Sequence, residues 1–336
     1  MMRKKKICFL FLLMLLIIPQ MGCGGEAPVS RSSFYFDTPC TITIYDMDEE
    51  EAGSMIADAF RLCQDLESKL SRTVEGSDID RINAAKGQPV AVSRETIQVL
   101  KKGLYYSELS QGVFDITAGR VTELWDFKEN PQIPDSEVLK EALATVDYRN
   151  LKIEGNTVTL ADSEGKIDLG GIGKGYAADK LANFLLEGGA EKAIINLGGN
   201  VAVIGEKEEH TPWEVGLERP FSNQSEIMGT MKMTDQTVVT SGIYERFFEK
   251  DDVRYHHILD LETGMPVNSD LNSVTILGPV GASADCDALS TICFLLGEER
   301  GKALLESKEG LEGLFLRSDG TFSQTSGMNF TPISQD

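Results

Sequence analysis

Apolar residues recur along this chain in two alternating rhythms. Between residues 49 and 70, Met55, Ile56, Ala59, Phe60, Cys63, Leu66 and Leu70 return at steps of three and four, the spacing of an amphipathic helix. A second helix is predicted over 93–110. A third follows from YAADKLANFLLEGG, with Tyr176, Ala177, Leu181, Phe184 and Leu185 along one side. A fourth runs over 283–297, where Ser283 can act as N-cap and Gly297 as terminator. Between them lie short runs rich in β-branched and aromatic residues: FYFDTPCTITIY (34–45), KIDL, AIINLGG, WEVGLERP, MGTMKMTD, TVVTSGIY, YHHILDL and SVTILG. LKIEGNTVTL, 151–160, reads as a hairpin turning at residues 154–156. Strands and helices interleaved in this way, with several hairpins, imply an α+β domain rather than a doubly wound parallel sheet.

The N-terminus breaks this rhythm. Arg3, Lys4, Lys5 and Lys6 precede an apolar run over residues 7–18. Such a run is about a dozen residues long, too short to span a bilayer and suited to a signal-peptide core. Gly22 and Cys23 follow, then Gly24 and Gly25, a pattern that resembles the lipobox of bacterial lipoproteins with Gln20 at its usual leucine. Two readings stand, a lipidated Cys23 or a plain secretory signal, and both export the protein. The expected organisation is a signal peptide over 1–22, a lipidated cysteine and tether over 23–33, and a catalytic-sized domain over 34–333.

Charge narrows the partners. Removing residues 1–22 takes away four basic residues and no acidic one, so the formal charge passes from −21 to −25. A chain this acidic repels nucleic acid, and a polyphosphate ligand would need a metal ion, a lysine or backbone N–H groups to neutralise it locally. Past Cys8 and Cys23, the cysteines are Cys40, Cys63, Cys286 and Cys293, with no CxxC spacing and no zinc pattern. Cys286 and Cys293 are too far apart on one helix to bridge each other, which leaves buried free thiols as the preferred reading over a structural disulfide.

Two segments carry candidate chemistry. DLGGIGKGYAADK, 168–180, sets Gly173, Lys174 and Gly175 at a helix N-terminus, where free N–H groups and the helix dipole favour an anion. It fails the Walker pattern, because Gly175 follows Lys174, and it meets the dinucleotide fingerprint only as G-x-G-x-x-A, with Asn196 where an acidic ribose ligand belongs. A tight strand-to-helix turn with a solvated lysine fits the loop equally well. The second segment holds Asp287 and Thr291, four apart on one helix face, an all-oxygen pair suited to a hard cation such as Mg²⁺. The alternative is an aspartate favouring the helix dipole and a threonine bonded to the preceding turn. Asp285 points away from Thr291. Upstream, His256 and His257 are neighbours among only three histidines; in a strand one enters a site while the other is exposed.

Six blocks in order, FDITAGRVTELWDF (114–127), DLGGIGKGYAAD (168–179), NLGGN (196–200), SGIYERFF (241–248), HHILDLETGMPV (256–267) and DALSTICFLLG (287–297), resemble the ApbE-type FAD:protein FMN transferases, exported flavin-handling lipoproteins. The resemblance covers nearly all of the chain beyond the tether. It implies a single ApbE-type, T-fold-like catalytic domain of mixed sheets and helices. It implies FAD contacts at Phe36, Asp37, Phe114, Asp115, Thr117, Asp168, Lys174, His257 and Ile258, and Mg²⁺ held by the Gly171 carbonyl, Asp287 and Thr291. His257 and Asp287 are the implied catalytic groups. Arg120 and Asp126 stand where the family carries proline and glycine.

The implied reaction moves FMN from FAD to a threonine or serine hydroxyl of an exported or membrane redox protein and releases AMP. The acceptor motif, D-[GAS]-x-[TS]-[GAS]-[AT]-T, is absent from this chain, so the acceptor is another protein. A lipid anchor would hold the enzyme on the outer face of the cell membrane beside that flavoprotein subunit. Two other readings remain open: a Mg²⁺-dependent FAD pyrophosphatase that gives FMN and AMP, and a lipoprotein that binds flavin without catalysis. Trp125, Tyr244 and Tyr255 are the candidate aromatics for stacking on the flavin.

Overall fold

The computed structural model describes residues 27–127, 129–222 and 226–333; the expected signal segment and Cys23 lie outside them. In chain order the elements begin β1 (Val29–Tyr35), β2 (Thr38–Ile44), α1 (Glu49–Leu70), α2 (Asp78–Ala84), β3 (Val90–Ala91), α3 (Arg94–Leu109), α4 (Gly119–Trp125) and α5 (Ser136–Leu143). They continue with β4 (Leu151–Glu154), β5 (Thr157–Leu160), α6 (Gly173–Glu187), β6 (Ala193–Leu197), β7 (Asn200–Ile204), β8 (Trp213–Glu218), β9 (Ile227–Met233) and β10 (Gln236–Gly242). The last are β11 (Phe247–Lys250), β12 (Val253–His256), β13 (Leu271–Pro279), α7 (Ser283–Leu296), α8 (Glu298–Glu306), β14 (Glu312–Arg317), β15 (Phe322–Gln324) and β16 (Phe330–Pro332).

An eight-stranded sheet in the order β1-β2-β6-β7-β10-β13-β14-β15 forms the centre, and all its pairings are antiparallel. Alternation along its strands sends residues to two different cores. Val239, Ile276 and Phe315 face the layer of α1, α6 and α7, whereas their neighbours Val238, Leu277, Leu314 and Leu316 face a second cluster with Trp213, Met231 and Phe330. That second cluster is roofed by the small sheet β16-β9-β8. The α+β class expected from the interleaved rhythms is the observed one. No helix among the described residues is long and apolar enough to cross a membrane.

Several elements differ from the expectation. Residues 34–45 are not one strand: the chain reverses at Phe36 and Asp37, both left-handed with φ of 51° and 60°. The first arm of this hairpin reaches back to Val29, so residues 29–33 belong to the sheet and not to a tether. They read as tether because β1 is an edge strand with polar outward positions; Ser30 and Ser32 pair their hydroxyls with Thr43 and Thr41 at 2.9 and 2.8 Å. KIDL is no strand either, having only a single parallel bridge, Ala118 to Lys166. The Asn83 side chain stands in as its partner, accepting from Ile167 N–H at 2.7 Å and donating to Ile167 C=O at 3.0 Å.

Ser283 does not cap α7. It is the first helical residue, and its hydroxyl pairs with Thr237 at 2.7 Å. The cap comes from α6: Asp179 accepts from Ser283 N–H at 2.6 Å and from Ala284 N–H at 3.0 Å. Asp126 occupies a left-handed position at the end of α4, φ 40°, a conformation that suits the glycine the resemblance implies there. Aspartate tolerates the conformation, and its carboxylate accepts from Glu129 and Asn130 N–H at 3.2 and 3.1 Å. All four described cysteines are free and buried, as the preferred reading of their spacing holds.

Two consequences can be measured. Asp179→Ala strips both N-cap bonds from a buried helix end and is expected to lower unfolding free energy by about 2 kcal/mol in urea titration, with Asp179→Asn costing less. His256 is buried against Phe294 with Nδ1 unpartnered, and burial pushes its pKa from 6.5 down to about 4. The unfolded chain therefore binds the proton more readily. Its contribution to stability is complete above pH 6.5 and is lost as pH falls toward 4, on the order of 2–3 kcal/mol by pH 4.5. His256→Phe should flatten that part of the stability–pH profile.

Candidate active site

The glycine loop and the DALST helix meet directly. Gly175 lies so close to the start of α7 that a Cβ on it would stand 2.7 Å from Ala284 Cα, so only glycine fits. Its N–H donates to Asp287 Oδ2 at 2.9 Å. Each helix thus offers a carboxylate to the N-terminal turn of the other: Asp287 of α7 to α6, and Asp179 of α6 to α7. The loop N–H of Gly175, expected to face a phosphate, is spent on Asp287. The N-cap residue of α6 itself, Ile172, makes no side-chain cap hydrogen bond.

Around this junction the three expected metal positions come together. With Oδ2 engaged by Gly175, Asp287 has Oδ1 available to a cation. One turn on, Thr291 Oγ1 pairs with Ser241 Oγ of β10 at 3.1 Å rather than with the preceding turn. Gly171 faces the same hydroxyl, for a Cβ built on it would lie 3.6 Å from Thr291 Oγ1 and 2.8 Å from the Phe114 ring. A side chain there would fill the space between Phe114 and Thr291, and the glycine keeps it open. One carboxylate, one hydroxyl and one main-chain carbonyl are the donor set of a hard cation that retains waters and substrate phosphate. Among the described residues no cluster of three His, Cys, Asp or Glu offers another metal site.

Charge at the cleft is finely balanced. Burial raises the pKa of Asp287, while the Lys174 ammonium and the Gly175 N–H oppose the shift. Lys174 makes no ion pair within 4 Å among the described residues, so its charge acts on Asp287, Glu245 and His257 together. Glu245 is exposed on the turn after β10, and desolvation raises its pKa against the pull of Lys174. His257 follows β12, with Nδ1 at 3.2 Å from Arg246 O. Desolvation, together with the nearby charges of Arg246 and Lys174, takes its pKa down to about 3, so the ring is neutral near pH 7. With the Nδ1 proton donated to Arg246 O, Nε2 is left as an acceptor.

Asp168 stands to one side. Its Oδ1 accepts from Gly170 N–H at 2.8 Å; its Oδ2 accepts from the Thr122 hydroxyl at 2.7 Å and pairs with Arg72 at 3.1 Å. Phe36 and Asp37, at the tip of the first hairpin, abut the Gly198 turn through Thr38. Other expected contacts are turned inward. Thr117 is fully buried, and Asp115 uses both oxygens inside the fold, accepting from Thr117 N–H and Oγ1 at 2.8 and 2.7 Å and from Tyr148 N–H at 2.8 Å. Their side chains shape the turn that presents Phe114 to the site. Ile258 is 3 % exposed and belongs to the core. Trp125 is fully buried, donating to Gly264 O at 2.9 Å and stacking on Phe127. His256, expected at the surface, is buried, because that face of β12 turns toward α7 and Phe294.

Reasoning from the sequence passed over Arg72, Asp179, Glu245 and the demand for glycine at 175. Asp179 and Glu245 stand inside the quoted blocks, but nothing in their local spacing marks them, since their partners are far along the chain.

Comparison with known proteins places the sequence and the fold. The ApbE family profile matches residues 36–315. The FAD:protein FMN transferase of Treponema pallidum (strain Nichols) is 35% identical over 328 residues, covering 91% of this chain and 90% of that protein. The protein of the same name from Klebsiella pneumoniae (strain 342) is 33% identical over 310 residues, covering 90% and 94%. Among solved structures, the ApbE protein of Thermotoga maritima superposes with a TM-score of 0.81 at 31% identity, covering 89% of this chain and 97% of that one. The flavin transferase ApbE of Vibrio cholerae gives 0.78 at 29% identity, with the same coverage. By the profile match over most of its length and by its similarity to these proteins in sequence and fold, this chain belongs to the ApbE family.

Proposed function

We propose that this protein is a Mg²⁺-dependent FAD:protein FMN transferase acting on a threonine or serine hydroxyl of a partner flavoprotein. The observation that carries the reading is the convergence of Gly171, Asp287, Thr291 and Lys174 on one cleft beside His257, in a chain whose relatives bear that enzyme name. Gly171 O, Asp287 Oδ1 and Thr291 Oγ1 would hold the cation, and the donor set and the open space at Gly171 both fit one. A bound Mg²⁺ supplies charge neutralisation at the diphosphate. Lys174 adds a second positive group for the same oxygens, which answers the polyanion problem of an acidic protein.

The acceptor hydroxyl oxygen bonds to the FMN phosphorus, the bond from that phosphorus to the bridging oxygen breaks, and AMP leaves with the electron pair. His257 Nε2 takes the hydroxyl proton; the negative charge of bound substrate raises its basicity above that of the empty cleft. Arg246 fixes the ring through its carbonyl. Asp168, held by Arg72 and Thr122, would contact FAD from the start of the glycine loop. We place the enzyme outside the cytoplasm, tethered through Cys23 to the membrane that carries its acceptor, on the strength of the basic, apolar and Gly-Cys pattern of the N-terminus.

The test combines FAD, Mg²⁺ and a purified acceptor domain, followed by mass spectrometry and AMP quantitation. The expected result is FMN mass on one hydroxyl residue with equimolar AMP, and a rate at least about 100-fold lower for Asp287→Ala. Free FMN and AMP with an unlabelled acceptor would make the protein a pyrophosphatase, and no AMP at all would remove catalysis.

A further inference from the structure

Asn200 closes the NLGGN block, to which the site as described gives no task. It opens β7 directly after the Gly198–Gly199 turn, whose φ angles of 55° and 96° suit glycine. β7 runs in the sheet between β6 and β10 and packs against both α6 and α7, which places Asn200 under their crossing. Its side chain is 1 % exposed, and neither Oδ1 nor Nδ2 has a hydrogen-bond partner among the described residues. Burying a primary amide with both ends unsatisfied is costly, and such a group calls for a partner that arrives from outside the chain. The Asp287 carboxylate lies beside it, near enough for the amide to favour the ionised form, yet no hydrogen bond of ordinary geometry joins the two.

We propose that Asn200 is a positioning residue of the divalent-cation site, whose buried amide completes its hydrogen bonds with the Asp287 carboxylate and the cation's hydration shell when the cation is bound. This role rests on the cation reading given above. It follows from the chemistry of the group: an amide both donates and accepts, so one side chain can orient a carboxylate ligand through Nδ2–H and receive a water proton at Oδ1. A structural asparagine would instead bond to the backbone, and this one does not.

The test is calorimetric titration of Mg²⁺ into the FAD-free full-length protein and into Asn200→Leu and Asn200→Ala, together with thermal unfolding in metal-free buffer. The wild type should bind Mg²⁺. Both variants should bind it 10- to 100-fold more weakly. The metal-free Tm of Asn200→Leu should stay level or rise, because an unsatisfied amide gives way to an apolar group of similar size. Wild-type affinity in either folded variant overturns this role while leaving the cation site standing. A fall in metal-free Tm for both variants with Mg²⁺ affinity unchanged makes Asn200 a structural residue and likewise overturns it. A wild type that takes up no Mg²⁺ overturns the cation site itself, and this role with it.

Discussion

Two helices meet at Gly175 with no side chain between them, and each presents a carboxylate to the other's N-terminal turn. That reciprocal capping sets where everything else in the cleft can stand. Because Asp287 is held by the Gly175 N–H, it is aimed at the same space as Gly171, four residues before that glycine, and Thr291, one turn after Asp287. Because Asp179 takes up the N–H groups of Ser283 and Ala284, α7 is buried along nearly its whole length without an orphaned end. The sheet beneath supplies Ser241 to Thr291 and sets the buried Asn200 amide beside Asp287 without a hydrogen bond between them.

The same crossing would let an acidic protein hold a diphosphate, as the proposed reaction requires. Net charge describes the surface as a whole, whereas the ligand senses the few groups within a Debye length or less. Here Lys174 adds a full positive charge beside two helix N-termini that Asp287 and Asp179 already meet, and Asp287 would hold the proposed cation. His257 is kept neutral first by desolvation and then by the nearby charges of Arg246 and Lys174. Arg72 neutralises Asp168 at the other end of the loop, so the cleft is not uniformly positive but ordered along its length.

Much of this was legible in the sequence because it is local. The helix over 49–70 follows from its apolar spacing alone, and the hairpin at 151–160 from its turn residues. The pairing of Asp287 with Thr291 is a consequence of helical geometry and needs no tertiary knowledge. What escaped is what depends on partners distant in the chain. Ser283 has the residue type of an N-cap, yet Asp179 does the capping from another helix. KIDL has strand composition, but its partner is the Asn83 side chain and not a strand. Residues 29–33 look like a tether because an edge strand can be polar on the side that meets water. Resemblance located the FDIT block, while the structure shows that Phe114 faces the site and that Asp115 and Thr117 serve the turn.

The account stands or falls on the close approach at Gly175, and one measurement reaches it: Mg²⁺ affinity of Gly175→Ala, titrated alongside the wild type with circular dichroism to confirm that the fold is retained. A methyl group there must push α6 from α7, withdraw the N–H from Asp287 and separate Gly171 from Thr291. The predicted result is loss of at least about tenfold in Mg²⁺ affinity although every proposed ligand is still present. A well-folded Gly175→Ala protein that binds Mg²⁺ as tightly as the wild type would contradict it.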